Sequence, residues 1–351
     1  MSRFGLGDKI GVGMVQAVMT QRAGVLAELP QVLHDLEVDV STVFDGSGVD
    51  PATLSADTRV TFEALLNLLH KAARHTNCPH LGLLIGQRFK FKIHGPIGQL
   101  MLTAPTLGHA LVDFVTWQPG YSSGAIVYLN RFGRDYAVGY GSYAASSPGS
   151  RVLYDAIIGV GVQMLQQLTK GLAKPVEIHF SYRKPKDSSD YSSLLKLPVR
   201  FNQHRTCLIL DAEAMRTPLP SADPETRRIL VAEIKRAVFT TSPDFPTQTR
   251  HALRHALHSG KPTLSEVASE MGLHPRTLER RLTDKGETFT SLRNDVLFSV
   301  ACELLELTDI PIGEIGAFLG FASPSVFTDA FRRIRGTSPS EWRARAPGIR
   351  A

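Results

Sequence analysis

A chain of 351 residues is long enough for about two domains at roughly 100–200 residues each, and its 43% hydrophobic content supplies real cores. The formal charge of +6 hints at a polyanionic partner but is too small to speak to fold or specificity. Three cysteines far apart (Cys78, Cys207, Cys302) argue against a disulfide scaffold, and no apolar run approaches the roughly 18 residues of a membrane helix. With no apolar signal core in MSRFGLGDKIG, the expectation is a soluble cytoplasmic protein with reduced thiols.

In chain order, residues 21–118 read as mainly helical, because LPQVLHDL, TRVTFEALLNLLHKAARH and TLGHALVDFVTWQ space apolar side chains at i, i+3 and i+4. Residues 121–141 change character. Two alternating runs rich in Ile, Val and Tyr flank Arg131-Phe-Gly133-Arg, which predicts a hairpin. A long helix follows at about 150–171, then strand-like PVEIHFSY and RTCLILDA, with polar residues 183–193 between them read as a loop. Three prolines in MRTPLPSADPET mark a boundary. The predicted architecture is an α+β domain over 1–220, a helical linker over 221–244 and an all-α module over 245–345.

The last module carries one device twice. Thr263-x-x-Glu266 is a capping box, Leu264, Val267, Ala268 and Met271 form an apolar stripe, and Gly272 ends that helix. His274-Pro275 restarts the chain, and Leu278 and Leu282 return apolar side chains to the core. Further on, Asp309 is placed to cap, Ile312, Ile315, Phe318 and Leu319 form the stripe, and Gly320 ends it. Ser323 caps, Pro324 opens the next helix, and Phe327 and Phe331 face inward. Each copy is helix, glycine-containing turn, helix. The second turn is one residue longer, so the repeat is structural rather than a literal duplication. SLRNDVLFSVACELLEL (291–307) predicts a helix of about 25 Å joining the two units. If both second helices enter successive major grooves on one DNA face they sit about 34 Å apart, and one chain then reads a site that need not be palindromic.

LSEVASEMGLHPRTLERRL and IPIGEIGAFLGFASPSVFTDAFRRIRGTSPSEWR make this module resemble the DNA-binding part of AraC/XylS-type bacterial transcription regulators. PHLGLLIGQ, GPIGQLMLTAPTLGHAL and LPVRFNQ make 1–220 similar to the arabinose-binding-domain-like sensing region of a subgroup that includes regulators of ornithine utilisation and of virulence. The resemblance implies effector sensing or self-association by the first domain and sequence-specific binding of double-stranded DNA by the second. It also implies activation as the commoner mode, with RNA polymerase as partner. Carried over by position, base reading in the first unit falls on Arg276, Glu279 and Arg280, with Thr277 and Arg281 flanking them nearer the phosphates. Residues three and four apart share one helix face; Arg suits guanine and Glu can accept from cytosine N4. In the second unit the family positions fall on Pro324, Ser325, Thr328 and Asp329. Family members often carry Arg where Asp329 stands, so this unit is expected to give backbone contacts from Ser323, Ser325 and the run that includes Arg332, Arg333 and Arg335. For that run a solvated face is the plainer alternative.

Other patterns are weaker. His70-x4-His75-x2-Cys78-x-His80 has zinc-type residues, but His70 and His75 diverge by about 140° on a helix, and a helix end with a buried Cys78 is the plainer reading. Gly5, Gly7 and Gly11 follow no strand and make no dinucleotide fingerprint. Tyr121, Tyr128, Tyr136 and Tyr140 could line a ligand pocket or simply fill core, and Arg88, Lys90 and Lys92, alternating with Phe89 and Phe91, read as a solvated edge strand. No cofactor and no enzyme activity is expected. Two readings stand beside the regulator: a metal-dependent enzyme built on 1–220, and a sensor acting through protein partners.

Overall fold

The structure, a computed structural model, describes residues 19–142, 147–186, 188–241, 244–258 and 262–345. The amino-terminal glycines and Arg350 lie outside these residues.

The first unit opens with β1 (Thr20–Arg22), α1 (Leu29–Asp35), α2 (Val40–Phe44), β2 (Arg59–Thr61), α3 (Phe62–Thr76), α4 (Leu81–Gln87), α5 (Gly95–Leu102) and α6 (Leu107–Trp117). It continues through β3 (Ala125–Phe132), β4 (Asp135–Ser142), α7 (Ser150–Thr169), β5 (Glu177–His179), α8 (Ser189–Leu195), β6 (Val199–Arg200), β7 (Thr206–Leu210) and α9 (Ala212–Arg216). The hairpin forms where it was expected, in register Phe132↔Asp135, with Gly133 at φ +63° in the turn. A five-stranded sheet runs β3-β4-β7-β5-β6, antiparallel except for the β5–β6 pair.

The 21–118 stretch is mainly helical, as expected, interrupted by the β1–β2 pair, whose three-residue strands are too short for their period to show. Two expectations are corrected. The 183–193 stretch holds α8, whose Tyr191 is fully buried and so draws a polar segment into a helix. Residues 88–92 form no edge strand: Phe91–His94 is a short 3-10 helix, Phe89 is buried, and Arg88 pairs with Asp35 of α1.

On one face of the sheet lies α7, itself packed tightly against α4. A Cβ on Gly86 would stand 2.4 Å from the carbonyl oxygen of Ala156, so only glycine permits the crossing. Beside it Asp155 is fully buried and accepts bonds from the hydroxyls of Tyr182 and Tyr191. Burial pushes its carboxyl up to about 7, against the pull of Arg151 and the two hydroxyls. Its folded pKa is raised above the unfolded value, so the associated stability is full below about pH 4 and is lost as pH rises through about 7. Asp155→Asn should flatten the fall in stability between about pH 4 and 7 measured by urea unfolding. An unaltered profile would assign that fall to other groups.

Past the prolines, α10 (Pro224–Thr241) lies against the first unit, with Arg227 making a two-pronged pair with Asp113 of α6 at 2.5 and 2.8 Å. Then come α11 (Phe245–His258), α12 (Leu264–Glu270), α13 (Pro275–Thr283), α14 (Phe289–Leu307), α15 (Ile312–Phe318), α16 (Pro324–Arg335) and α17 (Pro339–Arg345), with no strand among the described residues from 244 onward. Two cores share α14. Leu292 and Val296 join α11, α12 and α13, while Leu297 to Leu305 join α15 and α16.

The two units are joined by more than the chain. The face of the sheet opposite α7 carries Ile126 and receives Ala252, Leu253 and Ala256 of α11. Glu303 of α14 and Arg254 of α11, 6% and 3% exposed, meet at 3.6 Å, and Tyr154 of α7 donates its hydroxyl to Glu303 at 2.5 Å. Arg183 of the first unit reaches the carboxy-terminal end of α14. Its backbone and guanidinium N–H groups bond the carbonyls of Leu307, Glu306 and Thr308 at 2.8, 2.6 and 2.8 Å, and its Nε bonds Asp309 at 2.6 Å. Those carbonyls have no partner within the helix, and a cation there also complements its dipole. Asp309 is therefore not the cap that its position suggested: α15 begins at Ile312 after Pro311 with no side-chain cap.

Candidate nucleic-acid interface and internal cavity

The two turns are built alike. After α12, Gly272 takes φ +65° and the Leu273 N–H bonds the Ala268 carbonyl at 2.8 Å. After α15, Gly320 takes φ +83° and the Phe321 N–H bonds the Gly316 carbonyl at 3.0 Å. Thr263 Oγ accepts from the Glu266 N–H at 3.3 Å and Ser323 Oγ from the Val326 N–H at 3.3 Å, so hydroxyls cap α12 and α16. At α13 the cap is His274, whose Nδ1 accepts from the Arg276 N–H at 3.3 Å.

Leu278 and Leu282 are fully buried, which turns the opposite side of α13 outward. Arg276, Glu279 and Arg280 are exposed there and Thr277 half-exposed. Together with His274 and Thr283 they line one shallow cleft of about 420 Å³. His274 and Thr283 were not among the expected residues; the capping role of one and the one-turn spacing of the other from Glu279 were the available signals. Arg281 is exposed but its guanidinium lies 5.6 Å from the Phe245 ring centre, toward α11.

On α16, Phe327 and Phe331 are fully buried and pack tilted or edge to face against each other and against Phe298, Phe321 and Trp342, at centroid separations of 5.2–5.8 Å. The outward side presents Ser325, Asp329, Arg332 and Arg333, with Ser323 and Thr328 half-exposed. Asp329 stands 3.8 Å from Arg332 one turn on, which offsets its charge locally. Val326, 50% exposed, is an apolar group on this surface that the family positions did not mark. The arginine-rich tail is partly structural. Arg343 bonds the Leu305 and Ile310 carbonyls at 3.3 and 2.6 Å, and Arg335 stands by the Cys302 thiol.

The four tyrosines divide between the two faces of the sheet. Tyr140 and Tyr121 line a cavity of about 130 Å³ between β3, β4 and α7; Tyr128 lies on the opposite face over Gly139, and Tyr136 stands at the strand end with Arg131 over its ring. His94, missed in the sequence, also lines the cavity; burial, with the Arg22 charge second, lowers its imidazole pKa to about 3. Among the described residues no cluster of three His, Cys, Asp or Glu side chains could hold a metal, and His80 of the His/Cys group lies 3.1 Å from Asp190. Nor, among the described residues, is any helix long and apolar enough to cross a membrane.

Two helix-turn-helix units on one shared helix, docked on an α+β unit with a cavity, define a DNA-binding regulator. The family model for the arabinose-binding domain of AraC transcription regulator, N-terminal, matches residues 38–219, and a helix-turn-helix domain model matches 267–345. The first spans more than half of the chain, which therefore belongs to the AraC-type family of transcription regulators. The chain is 26% identical over 325 residues to the ornithine utilization regulator of Pseudomonas aeruginosa, covering 90% of this chain and 94% of that protein. It is 22% identical over 291 residues to the HTH-type transcriptional regulator VirS of Mycobacterium tuberculosis, covering 82% and 85%. The crystal structure of the transcriptional regulator CdpR from Pseudomonas aeruginosa aligns over 91% of this chain and 97% of that one, at 18% identity and a TM-score of 0.46.

Proposed function

We propose that this protein is an effector-responsive transcription activator that reads an asymmetric site through α13 and grips the DNA backbone through α16. The observation that carries this reading is the α13 surface. Arg276, Glu279 and Arg280 stand exposed together on one side, and among the described residues no ion pair engages them. Arg276 and Arg280 suit guanine edges and Glu279 a cytosine amino group, with Thr277 and Arg281 at the margin. Ser323, Ser325, Thr328, Arg332 and Arg333 supply phosphate contacts, and Asp329, beside Arg332, is kept from repelling them. The partners are promoter DNA, a small-molecule effector, RNA polymerase and, in a dimer, a second copy. The setting is the cytoplasm, and the protein works by binding rather than catalysis. The matched family model is named for arabinose and one relative for ornithine. The effector site is the cavity, which shares β3 and β4 with the surface that receives α11, so a ligand there can shift the population of DNA-competent conformers.

Footprinting on the DNA upstream of its own and neighbouring genes, with and without a small-molecule extract, tests both halves; random DNA protected equally well would sink the reading. Arg276→Ala or Arg280→Ala should cost about 1–3 kcal/mol on the specific site and relax one base position. Equal losses on random DNA would reduce both residues to phosphate contacts. Arg332→Ala should weaken all sequences alike and lower the slope of log affinity on log salt by about 1. An unchanged slope would remove Arg332 from the interface.

A further inference from the structure

The cavity walls are almost wholly hydrocarbon, with Phe89, Phe114, Val127, Val138, Met164 and Leu208 among them. Its few polar side chains include His94, Gln21 and Gln118. Both ring nitrogens of His94 are shut off from solvent and, among the described residues, have no hydrogen-bond partner. A neutral imidazole has one donor and one acceptor, and leaving both unmet in a buried site costs free energy. Gln21 and Gln118 are buried, and each uses its side-chain oxygen, accepting from Tyr140 OH at 3.0 Å and from the Val127 N–H at 3.3 Å. Among the described residues no hydrogen bond engages either amide nitrogen.

The one charged group in the lining is already engaged. Arg22 pairs with Asp57, donates to the Ile93 carbonyl at 3.2 Å and lies 4.2 Å over the Tyr121 ring. Tyr121 in turn donates to the His94 carbonyl at 2.6 Å. Among the described residues the only cation lining the cavity is thus already paired, and a ligand carboxylate would have to compete with Asp57 for it. A sugar would bring a ring of hydroxyls against hydrocarbon, and an amino acid would bring two charges; each unmet polar group weakens binding and each unpaired ion weakens it more. For size, a dry cavity of about 150 Å³ holds benzene, and this one is about 130 Å³.

We propose that the cavity takes an uncharged, largely apolar molecule of about one ring or a short acyl chain, with a single carbonyl-type acceptor directed to His94 and the glutamine amides. This rests on the reading of the cavity as the effector site and narrows its ligand to a chemical class that is neither sugar nor amino acid.

The test titrates the full-length protein by calorimetry with acetophenone, a ring-sized neutral ketone, and with benzoate, its anionic counterpart of similar shape. L-arabinose and L-ornithine complete the set. Acetophenone should bind at least about tenfold more tightly than benzoate, since burying the carboxylate is unrepaid, and the other two should give no heat. Gly161 lines the cavity, and a Cβ there meets only Leu208 side-chain atoms, at 2.8 Å, so Gly161→Leu fills the space. It should abolish acetophenone binding, and His94→Phe should weaken it several-fold. If Gly161→Leu does not fold, the His94→Phe loss and the charge discrimination of the wild type decide the matter. Failure of acetophenone to bind, equal or tighter binding of benzoate, arabinose or ornithine, or unchanged affinity in folded Gly161→Leu each overturns the proposal. The effector reading fails separately, if no small-molecule extract alters the DNA footprint.

Discussion

Glu303→Ala should destabilise the protein by about 3–5 kcal/mol, because it leaves the guanidinium of Arg254 buried without its counter-charge. The Tyr154 hydroxyl, which donates to Glu303 at 2.5 Å, loses its acceptor in the same step. The pair joins α11 and α14 of the DNA-binding module to α7 of the sensing domain, so the loss should also separate the unfolding of the two. Guanidinium unfolding of the full chain, followed by a probe in each domain, reads both effects. A loss under about 1 kcal/mol would show that Arg254 finds another acceptor or water. The pair is not fully satisfied even when intact: among the described residues, Nε and Nη1 of Arg254 have no partner. A contact of this kind opens more readily than an apolar one of equal size, since its desolvation is incompletely offset. Replacing Glu303, Arg254 and Tyr154 together by Leu, Met and Phe should therefore restore most of the lost stability.

Phe331→Ala should cost a further class of stability, about 3–5 kcal/mol, confined to the second helix-turn-helix. Phe331 is fully buried and sits between Phe298 of α14, Phe327 of α16 and Trp342 of α17. Its removal leaves a cavity at the point where α16 is held to the shared helix. The expected result is loss of protection over the half-site facing α16, while contacts from α13 persist, since Leu278 and Leu282 belong to the other core. Hydrogen exchange would show α16 opening ahead of α13. Loss of both half-sites together would mean that the two units do not stand independently on α14.

The paired helix-turn-helix was legible in the sequence because the signals that build it are local. A capping hydroxyl, a glycine with positive φ and leucines or phenylalanines one turn apart act within about ten residues, whatever the helix packs against. The outward residues Arg276, Glu279 and Arg280 follow directly from the burial of Leu278 and Leu282. The β3–β4 hairpin was legible for the same reason. The strands β1, β2 and β6, two or three residues each, were not, since their identity lies in a distant partner such as Thr20↔Thr61.

What the tertiary structure alone decided is where each side chain's partner stands. Periodicity tells which side of a helix is buried, not what covers it. So Asp309 looks like a helix cap in sequence and is a docking residue for Arg183, 126 residues away. Arg343 looks like part of a basic tail and holds carbonyls at the end of α14. Tyr128 and Tyr140 look alike, yet the pleat sends one toward α11 and the other into the cavity. His94 and the two glutamines gain meaning only where β1, β4 and α7 converge around an apolar space, because a cavity belongs to no segment of the chain.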